Sequence, residues 1–376
     1  MTRRILVDGR TAVNYAMFQP VHDAMRGDAR VRFSFIASED PARGGAIFRD
    51  AGPDARIVGS CVAAVTPFDA YVTSDFTWTR LLHPACRIQM FHGVGGKYGF
   101  DAPTGRLDAW HRLFFVNERR LRNCIAAGAL DADSRSIRLI GMPKVDRLVD
   151  GTIDKRVVVR SLGLDDDRPT VLYAPTWSPA SSLNRFGTAI VERLGLMPVN
   201  VIVKLHDRSR DPGMQYSGGI DWAERLRPLL PRGSAVLAPG ADITPYLVAA
   251  DVLVTDHSSA GFEYLLLDRP LVRIHLPALL EIANVHPDYV ALLAAVSEST
   301  RAVDDTIAAV ERALADPRTR SATRRSVAAD LFYRAGTATA RAVSALYEAI
   351  DLEAPAVENL EPGTRNLEPV SCPPSA

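Results

Sequence analysis

Four stretches of this chain place groups able to bind or activate phosphate directly after short apolar runs. The first reads Phe91-His92-Gly93-Val94-Gly95-Gly96-Lys97-Tyr98-Gly99-Phe100-Asp101. His92 is a residue type that can serve as general base near neutral pH, taking a proton from an attacking hydroxyl. The glycines let backbone N–H groups approach a ligand closely, and Lys97 brings a compact charge suited to one phosphate oxygen. In the second, Val171-Leu172-Tyr173-Ala174-Pro175-Thr176-Trp177, Pro175 stops a strand and Thr176 offers a hydroxyl and an amide. The third, Lys204-Leu205-His206, ends an apolar strand in a basic pair whose alternate residues share one side, as anion binding requires.

The fourth stretch runs Thr255-Asp256-His257-Ser258-Ser259-Ala260-Gly261-Phe262-Glu263 and continues to Leu267. A strand ends, a polar cluster caps a helix, and the free N–H groups and dipole at that end form an anion site suited to phosphates. Glu263, about one turn in, can accept hydrogen bonds from ribose hydroxyls. Asp256 beside serines reads as a cap rather than a metal ligand, so neither a metal nor a cofactor is expected. The resulting candidate set is His92, Lys97 and His206 for catalysis. Gly93, Gly95, Gly96, Thr176, Lys204, Asp256, His257, Ser258, Ser259 and Glu263 are the candidates for substrate binding.

Such groups work only if strand ends hold them in register. Strands are expected at Arg4–Val7, Val31–Ile36, Ala70–Thr73, Arg87–Phe91, Arg112–Val116 and Ser136–Ile140, then at Thr170–Tyr173, Val199–Lys204, Ser234–Leu237, Val252–Thr255 and Leu271–Ile274. Helical patterns such as Asn117–Ala127, closed by Gly128, alternate with them, which implies parallel sheets wrapped by helices. The expected class is α/β, with two doubly wound Rossmann-type domains facing a central cleft. Ligands in such sheets sit beyond the carboxyl ends of the strands, where all four stretches lie. The join falls between Gly141 and about Arg168. The expected division is a first domain over 1–145, a second domain with terminal helices over 146–350, and a disordered Pro-rich tail over 351–376. In that tail Asn359-Leu-Glu-Pro362 recurs as Asn366-Leu-Glu-Pro369.

Composition narrows the function. The 376 residues carry 44 Lys+Arg against 44 Asp+Glu, a balance that excludes a dedicated nucleic-acid binder. Four cysteines without paired spacing exclude a zinc ribbon or disulfide framework and suit a reducing compartment. No apolar run approaches the ~20 residues of a membrane span, so a cytoplasmic protein is expected, with peripheral contact at the inner membrane face. Arg119, Arg120 and Arg122 with Leu121 and Ile125 form a basic helical stretch that reads as a solvated face or, less readily, as a surface for anionic lipid. Only four lysines occur, and Lys97, Lys144 and Lys204 all fall within or beside the blocks above.

The ordered blocks His92-Gly-x-x-x-Lys97, Leu172-Tyr-Ala-Pro-Thr-Trp177, Lys204-Leu-His206 and Thr255-Asp-x-Ser-Ser259…Leu265-Leu-Leu-Asp-x-Pro270, with Gly141-x-Pro-x-x-Asp146 between them, resemble the CDP-glycerol glycerophosphotransferase family of teichoic-acid primases and polymerases. The resemblance runs from about Arg87 to Asp351. His257 stands where that family usually has tyrosine, Glu263 where it often has aspartate, and Asp207 where proline is common. The resemblance implies a GT-B fold and transfer of a polyol phosphate from a CDP-activated polyol donor to a lipid-linked or glycan acceptor. CMP would be released, in synthesis of a teichoic-acid-like or capsular envelope polymer. The missing N-terminal extension fits a primase-like enzyme. GT-B glycosyltransferases and NDP-sugar 2-epimerases share the strand, polar cluster, helix and Glu arrangement. They stand as alternatives, with a non-catalytic nucleotide- or glycan-binding protein of the same fold as a third.

Overall fold

The computed structural model describes residues 2–75, 79–98, 103, 105–230 and 233–355. The end of the glycine-rich stretch (99–101), Cys372 and the repeat expected in the tail lie outside these residues. Among these residues twelve strands form in chain order: β1 (Arg3–Asp8), β2 (Val31–Ile36), β3 (Ala70–Thr73), β4 (Cys86–Met90), β5 (Arg112–Phe115), β6 (Ile137–Leu139), β7 (Thr170–Tyr173), β8 (Asn200–Val203), β9 (Ala235–Leu237), β10 (Val252–Thr255), β11 (Leu271–Ile274) and β12 (Glu298–Thr300). All eleven expected strands are present within two residues at each end. The twelfth, β12, is a short polar edge strand against β11 that the sequence does not announce.

The strands make two parallel six-stranded sheets, ordered β2-β1-β3-β4-β5-β6 and β12-β11-β10-β7-β8-β9. Strands covered by helices on both faces must be apolar throughout. Every residue of β7, β8, β10 and β11 is accordingly buried. In the second sheet the order reverses between β7 and β10, the crevice where open α/β sheets take ligands. Thr255 Oγ1 closes that point by donating to the Ala174 carbonyl at 2.6 Å. The first sheet reverses between β1 and β3, and the chain leaving both strands faces the same space.

The two sheets lie on either side of the expected division near residue 145, but the last helix does not stay with the second. Ala338–Ala349 packs on the first-half helix Ala12–Met25, and Tyr347 donates its hydroxyl to Asp28 at 2.9 Å. Its start is held by Asp146, whose carboxylate accepts from the amides of Gly336, Ala338 and Thr339 at 2.8, 3.1 and 2.7 Å. The two crossings between halves therefore touch. Gly141 (φ 88°) lies so close to the second that a Cβ there would meet the Tyr333 carbonyl oxygen at 2.5 Å. Gly336 interrupts the helical C-terminal region, as expected. Among the described residues no helix is long and apolar enough to cross a membrane.

Candidate active site

A cavity of about 490 Å³ opens between the carboxyl ends of the two sheets. Ten of the thirteen candidate residues line it: His92, Gly93, Gly95, Lys97, Thr176, Lys204, His206, Ser258, Ser259 and Glu263. Asp256, His257 and Gly96 stand behind the wall.

His92 follows β4 and is half-buried, its Nδ1 2.8 Å from the Ser74 carbonyl at the end of β3. A carbonyl can only accept, so Nδ1 carries the proton and Nε2 presents a lone pair. The loop after it leans on the second half. Tyr98 N donates to Ala283 O at 2.9 Å, and His286 N donates to Gly96 O at 2.8 Å. Tyr289 donates its hydroxyl to Val94 O at 3.1 Å. Gly96, at φ 86°, sits so close to the Tyr289 ring that a Cβ would meet its Cγ at 2.4 Å. This glycine makes room for an aromatic side chain. Lys97 Nζ reaches across to the His257 carbonyl at 2.5 Å, and burial lowers its pKa to about 8.

On the second half, the expected capping role of Asp256 is corrected. Ser258 is the N-cap of the helix Ser259–Glu263, its side chain accepting from Ala260 N. Asp256 is fully buried and accepts from Thr176 N (2.8 Å), Ser182 N (3.1 Å) and Ser182 Oγ (3.0 Å). It fixes the chain after β7 against the chain after β10. The Thr176 amide is thereby occupied, which leaves the hydroxyl for a ligand. His257 is buried with its ring edge-on to Phe262 and contributes its backbone carbonyl to Lys97.

The basic pair at the end of β8 is also revised. Lys204 is buried, donates to the carbonyls of Gly240 (2.7 Å) and Leu205 (3.3 Å), and has its pKa lowered to about 8 by burial. Burial, with Arg208 and Lys204 nearby, pushes His206 down to about 3. Its Nδ1 accepts from Arg208 N at 3.2 Å, so Nε2–H is a neutral donor facing the cavity. One cation and one neutral donor stand where the sequence suggested two cations.

The structure adds four basic groups to the wall: Arg10, Arg120, Lys144 and Arg208. With Lys97 and Lys204 they outnumber the carboxylates of Asp75, Asp207 and Glu263. Arg120 departs from the solvated or lipid-facing surface expected of its helix, while Arg122 remains exposed. Arg120 is buried, with its guanidinium 4.2 Å from the Phe91 ring centroid, while Arg119 pairs with Asp330 and Arg122 with Glu118. Asn117 starts that helix, accepting from Arg120 N at 2.8 Å and donating to Val94 O and Leu331 O at 3.0 Å each. Lys144, between the sheets, pairs with Glu263 inside the cavity. Arg208 lies 4.4 and 4.9 Å from the ring centroids of Trp177 and Tyr216. Apart from Lys144, whose motif pointed to it, no local signal marks these residues. Which arginine of Glu118-Arg-Arg-Leu-Arg faces inward depends on where its helix lands on Phe91.

Among curated protein sequences none matches the chain. Solved structures do. The wall teichoic acid polymerase TagF superposes with a TM-score of 0.66 at 16% identity, over 93% of this chain and 89% of that one. A putative UDP-N-acetylglucosamine 2-epimerase from Listeria monocytogenes gives 0.60 at 13%, over 94% and 98%. The S. aureus MnaA–UDP co-structure gives 0.57 at 12%, over 95% and 99%. At such identities the likeness establishes the fold, GT-B-like with two parallel sheets about a cleft. The sequence itself goes further: residues 88–348 match the family model described as CDP-glycerol:poly(glycerophosphate) glycerophosphotransferase, and the chain belongs to that family.

Proposed function

We propose that this protein transfers glycerol phosphate, or a closely related polyol phosphate, from a CDP-activated donor to an acceptor hydroxyl and releases CMP. The observation that carries this reading is the cavity itself. Cationic side chains from both halves converge on it, His92 offers a free imidazole nitrogen on one wall, and the β7–β10 reversal forms the other. The donor diphosphate lies against Ser258, Ser259 and Lys204, with Thr176 and the His206 Nε2–H donating to its oxygens. Glu263 serves the ribose once Lys144 shares it. His92 Nε2 takes the proton as the acceptor oxygen bonds to the β-phosphorus. The bond from that phosphorus to the bridging oxygen breaks, and CMP leaves with the electron pair. Lys97 and Lys204 balance the charge that spreads over the phosphoryl oxygens, so positioning and electrostatics supply most of the acceleration.

Family membership supports a poly(glycerophosphate)-type acceptor, and with it a role in envelope-polymer synthesis of the teichoic-acid or capsular kind. Work at the inner face of the membrane follows if the acceptor is lipid-linked. The division into an acceptor-side half over 1–145 and a nucleotide-side half over 146–350 is part of the same proposal. Incubation with CDP-glycerol, CDP-ribitol and UDP-sugars, with the released nucleotide identified, tests it. CMP from a CDP-polyol is expected. A nucleoside diphosphate from a UDP-sugar, or no turnover of any donor, overturns it.

A further inference from the structure

The carboxyl end of the second sheet carries basic groups outside the cavity as well. Thr255 of β10 stands beside Arg273 of β11, which stands beside Ser299 of β12. Two residues further along each chain come His257, His275 and Arg301, and the His275 amide prolongs the ladder by donating to Thr300 O at 2.8 Å. Side chains two apart on a strand share a face, so these residues form two rows on one face of the sheet. It is the face under the helix Ser259–Glu263, since a Cβ on Gly261 would touch Thr255 and Leu271 there. None of His257, Arg273, His275, Ser299 and Arg301 lines the cavity already described.

Arg273 is only 5% exposed, and a guanidinium so buried is ordinarily matched by a carboxylate. Among the described residues its Nε and Nη2 donate instead to one neutral oxygen, Ser299 Oγ, at 3.2 and 2.9 Å. Burial lowers its pKa and no carboxylate raises it. Glu298, the acid on β12, is taken by Arg312. The Nδ1 atoms of His257 and His275 are buried and have no hydrogen-bond partner. Burial holds both imidazoles below their usual pKa, helped by Lys97 and Arg273 at His257 and by Arg273 and Arg301 at His275. Ser299 and Arg301 are exposed, so the cluster opens to solvent at the β12 edge. Donors gathered without an acceptor call for an anion, and two guanidinium groups repel a metal ion. The forks of Arg273 and Arg301, the imidazole N–H groups and the Ser299 O–H approach from different directions, which matches a tetrahedral oxyanion.

We infer that Arg273, His275, Ser299 and Arg301 form a separate binding site for phosphate, as the inorganic ion or as the end of a small phosphomonoester. The inference does not rest on the phosphotransfer reading above. His257 closes the site on the cavity side, where its carbonyl accepts from Lys97.

The experiment titrates the full chain, labelled with 15N at histidine, with inorganic phosphate at constant ionic strength and follows the ring nitrogens by NMR. His275 is expected to shift saturably and to gain its protonated form, because the anion offsets the charge of the neighbouring guanidinium groups. Chloride over the same range is expected to do neither. Phosphate held in the cavity does not supply this signal, since His275 does not line it. Repeating the titration with glycerol 3-phosphate distinguishes the two sources, and the ligand that saturates His275 at the lower concentration is the one the site takes. Arg273→Met is expected to weaken phosphate binding about tenfold or more, the loss of a bidentate charge-assisted contact. Arg301→Gln changes an exposed side chain, leaves the core alone, and is expected to weaken it about fivefold. A His275 ring that ignores phosphate and glycerol 3-phosphate, or answers chloride equally, overturns the site. Unchanged phosphate affinity in a folded Arg273→Met, or in Arg301→Gln, does the same.

Discussion

Lys144 Nζ lies 2.9 and 2.8 Å from the two carboxylate oxygens of Glu263, a buried ion pair that joins groups 119 residues apart. It ties the segment between the sheets to the wall of the cavity. It also neutralises a carboxylate that would otherwise repel a diphosphate.

Removing one partner strands the other charge in a nearly dry site. Lys144→Met is expected to cost about 3–5 kcal/mol of stability, while Lys144→Met with Glu263→Leu recovers most of that loss. Urea denaturation of the two single variants and the double variant measures the coupling. Losses that simply add would show that the pair is not coupled.

His92→Ala is expected to lower turnover by about 10²–10⁴-fold, the usual contribution of a general base. Its melting temperature should stay close to wild type, because the ring is only half-buried and makes one backbone hydrogen bond. Unimpaired CMP release in a folded variant would remove the base from His92.

Lys97 and Lys204 both have pKa values lowered to about 8 by burial. They are cations below that pH and lose charge above it, while a diphosphate diester stays fully ionised across the window. Donor affinity is therefore expected to be full below pH 8 and to fall as pH rises beyond it. Lys97→Arg with Lys204→Arg keeps the charge and should flatten that fall, as isothermal titration at a series of pH values would record. Stability runs the other way. Between about 8 and the ordinary 10.5 the unfolded chain holds protons that the folded chain lacks, so these two groups make the fold gain stability with rising pH.

Asp256→Ala removes the acceptor for two backbone amides and a hydroxyl in a fully buried site. A loss of about 2–5 kcal/mol is expected, visible as a lower denaturation midpoint with or without nucleotide. A variant of wild-type stability with weakened donor binding would return Asp256 to the ligand.

Gly96→Ala puts a methyl into the Tyr289 ring at a backbone angle that favours glycine. About 1–3 kcal/mol of destabilisation is expected from strain and overpacking together, measured as a lower melting temperature.

The sheets were legible in the sequence because buried parallel strands are short apolar runs bounded by polar clusters, a local signal. β12 escaped because Glu298-Ser-Thr300 has no such run and owes its pairing to β11 alone. The residues after strands were legible for the same reason, and most of them line the cavity. What sequence could not give was which polar group faces the ligand and which faces its neighbours. Asp256, His257 and Ser258 are consecutive, yet only Ser258 lines the cavity. Arg120 and Arg10 depend on how distant segments pack, and the neutral state of His206 depends on its burial and then on the cations the fold gathers around it.

The joined crossings also bear on how far the two halves can be treated as interchangeable parts. A cut between residues 145 and 146 separates the sheets but severs Asp146 from neither Gly336 nor Thr339, because those residues travel with it while the helix they start belongs on Ala12–Met25. Loop 93–98 in turn leaves its hydrogen bonds to His257, Ala283, His286 and Tyr289 behind. A chimaera that takes its second half from a relative must therefore retain Ala338–Ala349 with the first half and match both seams at once. The unit of exchange is the sheet with its borrowed helix, and a second half grafted without that correspondence would carry an intact cavity wall facing a misaligned His92.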